Sequence, residues 1–372
     1  MKTKSTFFAI SAVLFTFCNL FSQQSILVLN STTDIVYKLN ANDGTIINSS
    51  FIVLPTGTGT PKGVTQVNDK IWIADQTNDD ILIYNLDGTA SSTLFGDVVG
   101  LDNIRGLDVV NNEVWVTNAG SANGAVANSI RRFTTAGVPI GNYPTVVSPF
   151  DVLHTGTNAY VSSFTNNANI QILGYDGTVV GNVFPTPVLS NIEQINLNSA
   201  GNLIVAVFSN TTSTGNNRGL YEVSRITGAI LNYWPSLGTT GNNGIIQLNN
   251  GNYLYSSGSG LYLLNASTGV STTIETGGFQ YFTKIDENAM AVSEASYKSF
   301  KIYPNPVSET LFVESKTKMQ QLEIFSTEGK LIKTIQDNTD RFNINVSSLP
   351  VGLYYIKIMS DKSAETFRFI KK

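Results

Sequence analysis

A short apolar strand recurs seven times at spacings near 44 residues, and that period limits the fold more than any single residue does. It reads ILVLN from Ile26, IWIAD from Ile71, VWVTN from Val114, AYVSS from Ala159, LIVAV from Leu203, YLYSS from Tyr253 and MAVSE from Met290. A second strand follows each of the first six: DIVYKLN, DILIYNL, SIRRFTT, NIQILGY, GLYEVSR and GLYLLNA. Each of these runs into a glycine turn, such as NDG at Asn42–Gly44 or YDG at Tyr175–Gly177. Glycine takes positive φ without a Cβ clash, so the six turns are hairpin tips. A third element precedes the first: KGVTQV from Lys62, RGLDVV from Arg105, FDVLHT from Phe150, EQINLN from Glu193, NGIIQL from Asn243 and YFTKID from Tyr281. Four strands at this period make a propeller blade, which cannot bury its faces alone and must pack on neighbours around an axis.

The expectation is an all-β chain with a six-bladed β-propeller over residues 23–297. Ile26 to Phe51 supplies three strands of the first blade, and Gln280 to Asp286 returns to supply its innermost strand. Met290–Glu294 is then surplus, and a seventh, partial blade is the alternative. Trp72, Trp115 and Tyr160 are expected in the core between blades. The pattern resembles secreted propellers of the NHL-repeat and YVTN-repeat kind, including lactonase-like and streptogramin-lyase-like relatives, and no single motif selects among them.

The opening MKTKSTFFAISAVLFTFCNLFSQQ has two lysines, an apolar run from Phe7 to Phe21, then small and amide residues. It has the form of a secretory signal peptide over residues 1–22, too short and too early for a spanning anchor. Cys18, the single cysteine, lies inside it, and Phe17 stands where lipidation needs a small residue. A mature chain without thiols excludes disulfides, thiolate metal sites and cysteine catalysis. No second apolar run approaches membrane length, so no transmembrane segment is expected after signal cleavage. Charge divides along the chain. Residues 23–299 hold 10 Lys and Arg against 19 Asp and Glu, a net of −9, while residues 300–372 hold 11 against 8, a net of +3. An acidic body without clustered cations argues against nucleic acid as a partner.

Residues 298–372 read as a separate small domain. Apolar and polar residues alternate in seven short runs: Phe300–Tyr303, Thr310–Glu314, Gln320–Ser326, Lys330–Ile335, Arg341–Asn345, Gly352–Met359 and Thr366–Ile370, which suits an immunoglobulin-like β-sandwich. Its punctuation is YPNP at Tyr303, Pro304, Asn305 and Pro306, LFV at Leu311–Val313, EGK at Glu328–Lys330 with Gly329 at the turn, LPVGLYYIKI at Leu349–Ile358 with Gly352 and Tyr354, and a basic end, Lys371 and Lys372. In this order the motifs resemble the C-terminal sorting domain of type IX secretion cargo, although Phe325 and Ser326 stand where that family often has tyrosine and aspartate. The resemblance implies two partners, an outer-membrane translocon that recognises the folded tail and a sortase-like protease that removes it. It also implies a secreted product, extracellular or on the outer-membrane surface.

Function in the body rests on position. Loops joining the second strand to the third, and one blade to the next, converge on one rim around the axis, the default pocket of a propeller. Ligand-binding residues expected there are Asp75, Arg105, Asn118, Asp151, Glu193 and Arg218, with Asp34, Asn78, Asp79, Asp80, Asn166 and Asn210 nearby. Two long loops, Asn118–Ser129 and Ser209–Arg218, are rich in Asn, Ser, Thr and Gly, which suits a polar ligand such as a glycan; a protein ligand is the other candidate. No cofactor is required, although oxygen-rich rim residues suit calcium. DQTNDD at Asp75–Asp80 superficially resembles a calcium loop but lacks the central glycine and distal glutamate. His154 is the only histidine and falls between the first two strands of its blade, on the opposite rim. A histidine pair of the streptogramin-lyase kind therefore has no material, and no GxSxG elbow, Walker loop or dinucleotide loop is present. The chain reads as a binding protein without a nucleophile and base set. The alternative is a hydrolase or lyase using rim carboxylates such as Asp75 and Asp151, with calcium assistance.

Overall fold

The computed structural model describes residues 24–211, 214–287, 300–326, 330–360 and 364–372. The expected signal peptide with Cys18, the surplus strand expected at Met290–Glu294 and the expected turn residues Glu328 and Gly329 lie outside the described residues.

Six four-stranded antiparallel sheets make up the body. Blade 1 contributes β1 (Gln24–Asn30), β2 (Ile35–Asn40) and β3 (Ile46–Val53). Blade 2 holds β4 (Pro61–Val67), β5 (Lys70–Asp75), β6 (Asp80–Asn85) and β7 (Ala90–Leu94), followed by one helical turn, α1 (Gly96–Val99). Blade 3 holds β8 (Ile104–Val110), β9 (Glu113–Asn118), β10 (Ser129–Thr134) and β11 (Pro139–Pro144). Blade 4 holds β12 (Pro149–His154), β13 (Ala159–Ser163), β14 (Ile170–Leu173) and β15 (Val179–Asn182). Blade 5 holds β16 (Ile192–Leu197), β17 (Leu203–Val207), β18 (Gly219–Val223) and β19 (Ile230–Trp234), and blade 6 holds β20 (Asn242–Gln247), β21 (Tyr253–Ser257), β22 (Gly260–Leu264) and β23 (Ser271–Thr276). The last strand of the body, β24 (Phe279–Asp286), pairs antiparallel with β1, Gln24 opposite Asp286 and Val28 opposite Phe282. It completes blade 1 as its innermost strand, so the ring is closed by strand pairing between its two ends.

The strand sequences explain the layering. A side chain on each face of the second strand must meet a different neighbouring blade, so these strands are apolar at nearly every position. Leu27 and Leu29 of β1 pack against Ile71 and Ile73 of blade 2, whereas Ile26 and Val28 pack against Leu254 and Leu261 of blade 6. The same alternation in β5 sends Ile71 and Ile73 towards blade 1 and Trp72 and Ala74 towards Val114 and Phe133 of blade 3. The body's core is therefore six wedges, one between each pair of adjacent blades. Trp72, Trp115 and Tyr160 all lie in these wedges, as expected. The fourth strands, such as ASSTL in β7 and ILNYW in β19, are largely exposed.

The tail is one curled sheet of five strands: β25 (Phe300–Tyr303), β26 (Thr310–Phe325), β27 (Leu331–Asn345), β28 (Gly352–Ser360) and β29 (Ala364–Lys371). The seven expected strands merge into five because β26 and β27 run on through the polar stretches that read as turns. Their pairing shifts register between Glu314 and Met319 instead of breaking. Curling lets the sheet enclose its own core of Val313, Leu322, Ile344, Ile356 and Phe369.

Candidate functional site

The innermost strands share one irregularity. Their pairing with the second strand shifts register between Pro61 and Gly63, Ile104 and Leu107, Pro149 and Val152, Ile192 and Ile195, and Asn242 and Gly244; the closing pair shifts between Val28 and Asn30, opposite Phe279–Phe282. A bulge re-aims side chains that strict alternation would place on a blade face. Lys62, Arg105, Phe150, Glu193, Asn243 and Gln280 occupy this level, one per blade, and all six are buried. Lys62 Nζ lies 2.8 Å from Glu193 Oε2, joining blade 2 to blade 5 across the ring. Tyr281 donates its hydroxyl to the same oxygen, also at 2.8 Å. The ammonium of Lys62 sits 5.0 Å from the Tyr281 ring centre and 5.6 Å from that of Phe150. The Arg105 guanidinium lies 3.9 Å from the Phe150 ring centre and donates to the Pro149 carbonyl at 3.1 Å.

Arg105 and Glu193 share this level and Asp151, the residue after Phe150, lies beside it, all three buried in the ring and not on an open rim. Two features produce this correction. The bulges turn the side chains inward, and the next position is glycine in three blades, so the backbones approach closely. A Cβ on Gly106 would stand 2.3 Å from Asp151 Oδ1, and one on Gly63 would stand 2.2 Å from the Arg105 carbonyl. Burial then sets the charge states. It pushes the Asp151 carboxyl well above its ordinary range, against the hydrogen bond from the Ile195 amide, with the charges of Asp108 and Glu193 adding to the rise. It lowers Arg105, against the attraction of Tyr281 and Glu193.

Asp75 and Asn118 end β5 and β9 at the rim but are turned to the backbone of the adjoining loops. Asp75 accepts the amides of Gly59 and Thr60 at 2.9 Å and the Asn78 side-chain amide at 2.9 Å. Asn118 accepts the Asp102 amide at 2.7 Å and donates to the carbonyls of Gly120 and Val126 at 2.9 Å each. DQTNDD forms the β5–β6 hairpin tip, with Asp75 opposite Asp80. Asp79 and Asp80 accept the Asn103 and Gly96 amides. Oxygens expected for calcium are thus engaged by N–H donors, and among the described residues no group of three or more His, Cys, Asp or Glu is placed to hold a metal. Among the described residues Asp75 and Asp151 share no hydrogen-bond partner: the first ties a blade 2 loop, the second lies at the axis. His154 ends β12 on the opposite face, where its Nε2 is 2.7 Å from the Tyr175 hydroxyl.

Arg218 opens onto a groove of about 620 Å³ on the expected rim, between the β17–β18 and β19–β20 loops. Its two terminal nitrogens donate to the Thr240 and Gly238 carbonyls at 2.9 Å each, which fixes the guanidinium plane. Phe208, Asn210, Tyr233 and Thr239 also line the groove. Tyr233 is 40% exposed and donates its hydroxyl to the Arg218 carbonyl at 3.1 Å. Phe208 continues inward as an aromatic row, 5.4 Å from Phe164, which stacks at 4.5 Å on Phe150. Sequence reasoning missed Tyr233, Phe208 and Lys62. Lys62 had a usable signal, since it opens KGVTQV in the slot held by Arg105 and Glu193. Tyr233 had none, because exposure of a fourth-strand aromatic is invisible in a repeat.

In the tail, the punctuating residues mostly fasten the fold. The peptide bonds before Pro304 and Pro306 are both cis. Asn305 between them accepts the Ile370 amide at 2.9 Å and donates to the Arg368 carbonyl at 3.3 Å, binding the YPNP turn to β29. Tyr303 donates to Glu314 at 2.6 Å and stacks on Phe312. Tyr354 is buried on Phe369 and donates to the Pro350 carbonyl at 2.9 Å. Lys371 is buried and Lys372 exposed, with Val307 bridging to Lys371 in parallel. Gly352 begins β28 opposite Lys371.

Residues 301–372 match the model of the secretion system C-terminal sorting domain. No curated protein matches the chain. Among solved structures, a protein of unknown function from Bacteroides caccae is 11% identical with a TM-score of 0.52, covering 72% of this chain and 100% of its own. At that identity the likeness is one of fold. PorZ of Porphyromonas gingivalis, described as an essential bacterial surface component of the type-IX secretion system, is 12% identical with a TM-score of 0.38, over 91% of this chain and 56% of its own. A 6-phosphogluconolactonase-like structure from Bacteroides uniformis is 14% identical with a TM-score of 0.49, over 71% of this chain and 100% of its own. The sorting domain makes this protein cargo of type IX secretion, delivered to the cell surface or beyond it. Among the described residues no helix is long and apolar enough to cross a membrane.

Proposed function

We propose that the propeller is a surface-displayed, non-catalytic binding module that takes a glycan in the Arg218 groove. One observation carries the reading: Arg218, one of the six expected ligand residues, opens onto a wide groove beside an exposed aromatic ring and several amides and hydroxyls. Sugar rings present apolar C–H faces to aromatic side chains and hydroxyls to fixed polar groups, and a groove of this size falls in the range of small-ligand sites. The fork of Arg218 is already oriented by two carbonyls, so little side-chain entropy is lost when a ligand arrives. The rim carboxylates support the absence of catalysis in this reading, because Asp75 is occupied by loop amides and Asp151 is enclosed at the axis.

The test is a glycan array probed with the secreted protein, followed by titration of any hit against Tyr233→Ala and Arg218→Ala. The expected result is a hit whose affinity falls about tenfold or more in Tyr233→Ala, in line with loss of a stacked aromatic anchor. Silence across the array, or a hit indifferent to both substitutions, removes the groove as a glycan site.

A further inference from the structure

At the rim end of the axis a buried cation lacks an anion. Arg105 is the second residue of β8 and is 7% exposed. Its guanidinium carries five N–H donors. Among the described residues it makes one hydrogen bond, from Nη1 to the Pro149 carbonyl at 3.1 Å, and its Nε is buried without a partner. Among the same residues no carboxylate lies within ion-pair distance of it. Glu193 and Tyr281 act on its charge, but that carboxylate is already held by Lys62 and by the Tyr281 hydroxyl. Burial favours the neutral form of Asp151 beside this level, so Asp151 does not supply the missing charge. Lys62 and Arg105 against Glu193 leave one positive charge in excess here, inside a body whose net is −9. A guanidinium taken out of water is best matched by a planar, bidentate anion such as a carboxylate.

The way from the groove to Arg105 is aromatic. Phe208 lines the Arg218 groove and Phe164 lies 5.4 Å from it, both partly exposed. Phe150 meets Phe164 at 4.5 Å and the Arg105 guanidinium at 3.9 Å. Arg218, at the outer end, has both terminal nitrogens on carbonyls and is less free to fork a carboxylate. Resting on the glycan reading of that groove, we propose that the ligand is an acidic glycan, a uronate whose carboxylate pairs with Arg105 while its sugar rings lie along Phe164 and Phe208 towards Arg218. The sugar supplies C–H faces for the aromatic rings, and the carboxylate supplies the planar anion for the fork. A small inorganic anion would satisfy Arg105 and leave the rings unused; a neutral glycan would do the reverse.

Isothermal titration of the secreted protein with trimers of galacturonic, glucuronic and mannuronic acid tests this. Each is compared with its methyl ester, which keeps the rings and removes the charge, and with sodium acetate. At least one acid trimer is expected to bind saturably, with its ester and acetate at least about tenfold weaker. Arg105→Gln should abolish the preference for acid over ester, and Phe164→Ala should weaken acid binding about tenfold. Equal affinity for acid and ester, or no binding of any acid, overturns the proposal. Acetate as tight as the trimer also overturns it, leaving a bare anion site. So does an acid preference that survives Arg105→Gln and is lost in Arg218→Ala, since the carboxylate then sits at the outer end. A neutral glycan hit that depends on Tyr233, with no acid preference, keeps the groove reading while this one fails; silence of both the acid trimers and the glycan array removes both. The acid and ester comparison uses the wild-type protein, so it decides the matter even where Arg105→Gln fails to fold.

Discussion

Lys62 and Glu193 hold each other across a buried axis, and their value lies in being a pair. The two side chains are 7% and 3% exposed, and removing one partner strands the other as an uncompensated buried charge. Lys62→Met is expected to cost about 3–5 kcal/mol in urea unfolding, while Lys62→Met combined with Glu193→Leu recovers most of that loss. A double variant as unstable as the single one contradicts this account. Asp108 makes a different prediction. Its folded value is about 6 against an ordinary 3.8, because burial outweighs the bonds from His154, Val109 and Thr65. The folded state thus holds this proton more tightly than the unfolded chain. Its contribution to stability is fullest below about pH 4, falls as pH rises from 4 to 6, and is level above that. The fall is on the order of 2–3 kcal/mol, read as the difference between wild type and Asp108→Asn in unfolding free energy across that window. Parallel pH profiles for the two proteins would contradict it. At this scale the sequence put Arg105, Asp151 and Glu193 near the start of their innermost strands and so on one side of the ring. It could not show that they are enclosed, because the bulge that turns them inward leaves no mark in the alternation of residue types.

At the scale of elements, the quartets and their closure were legible, and the reason is redundancy. Six copies of one strand pattern vote for the same register, so noise in any single blade is overruled. The glycine beside the bulge is part of that pattern in KGV, RGL and NGI. Gly106 has ordinary negative φ but no room for a Cβ, with Asp151 Cα at 2.6 Å and the Phe150 carbonyl at 2.8 Å. Gly201 has φ +78° and nothing within 4 Å. Overpacking and backbone strain are thereby separated in one protein. Gly106→Ala should lose about 2–3 kcal/mol as blades 3 and 4 are forced apart, and Gly201→Ala about 1 kcal/mol, both measured by urea unfolding. The reverse order would mean that the blades part more easily than their close approach suggests. The tail was less legible because it has no repeats to vote. SKTK at Ser315–Lys318 and the polar run from Gln336 to Arg341 look like turns, yet both lie within long strands, where partly solvent-facing residues need not be apolar.

Over the whole molecule, two folding units answer two separate needs. The ring closes through β24 and β1, both upstream of the tail, and each wedge of its core lies between blades. The tail has its own core and ties its YPNP turn to β29 through Asn305. Among the described residues neither core cluster draws on residues of the other, so deleting residues 300–372 should leave the ring folded with its melting temperature within a few degrees of that of the full chain. The address is lost instead. A chain ending at residue 299 is expected to accumulate in the periplasm as folded, protease-resistant ring, with its surface and medium fractions falling at least tenfold in quantitative immunoblots. The intermediate case is the sharper one. Asn305→Ala keeps every charge and every core side chain, but it removes the two side-chain bonds from the turn to β29 and leaves the backbone bridge at Val307. If the translocon reads the assembled end of the tail and not merely its sequence, this variant exports poorly while the ring stays intact. Export at the wild-type level by Asn305→Ala, alongside failure of the deletion, would place recognition elsewhere on the tail than this closed end.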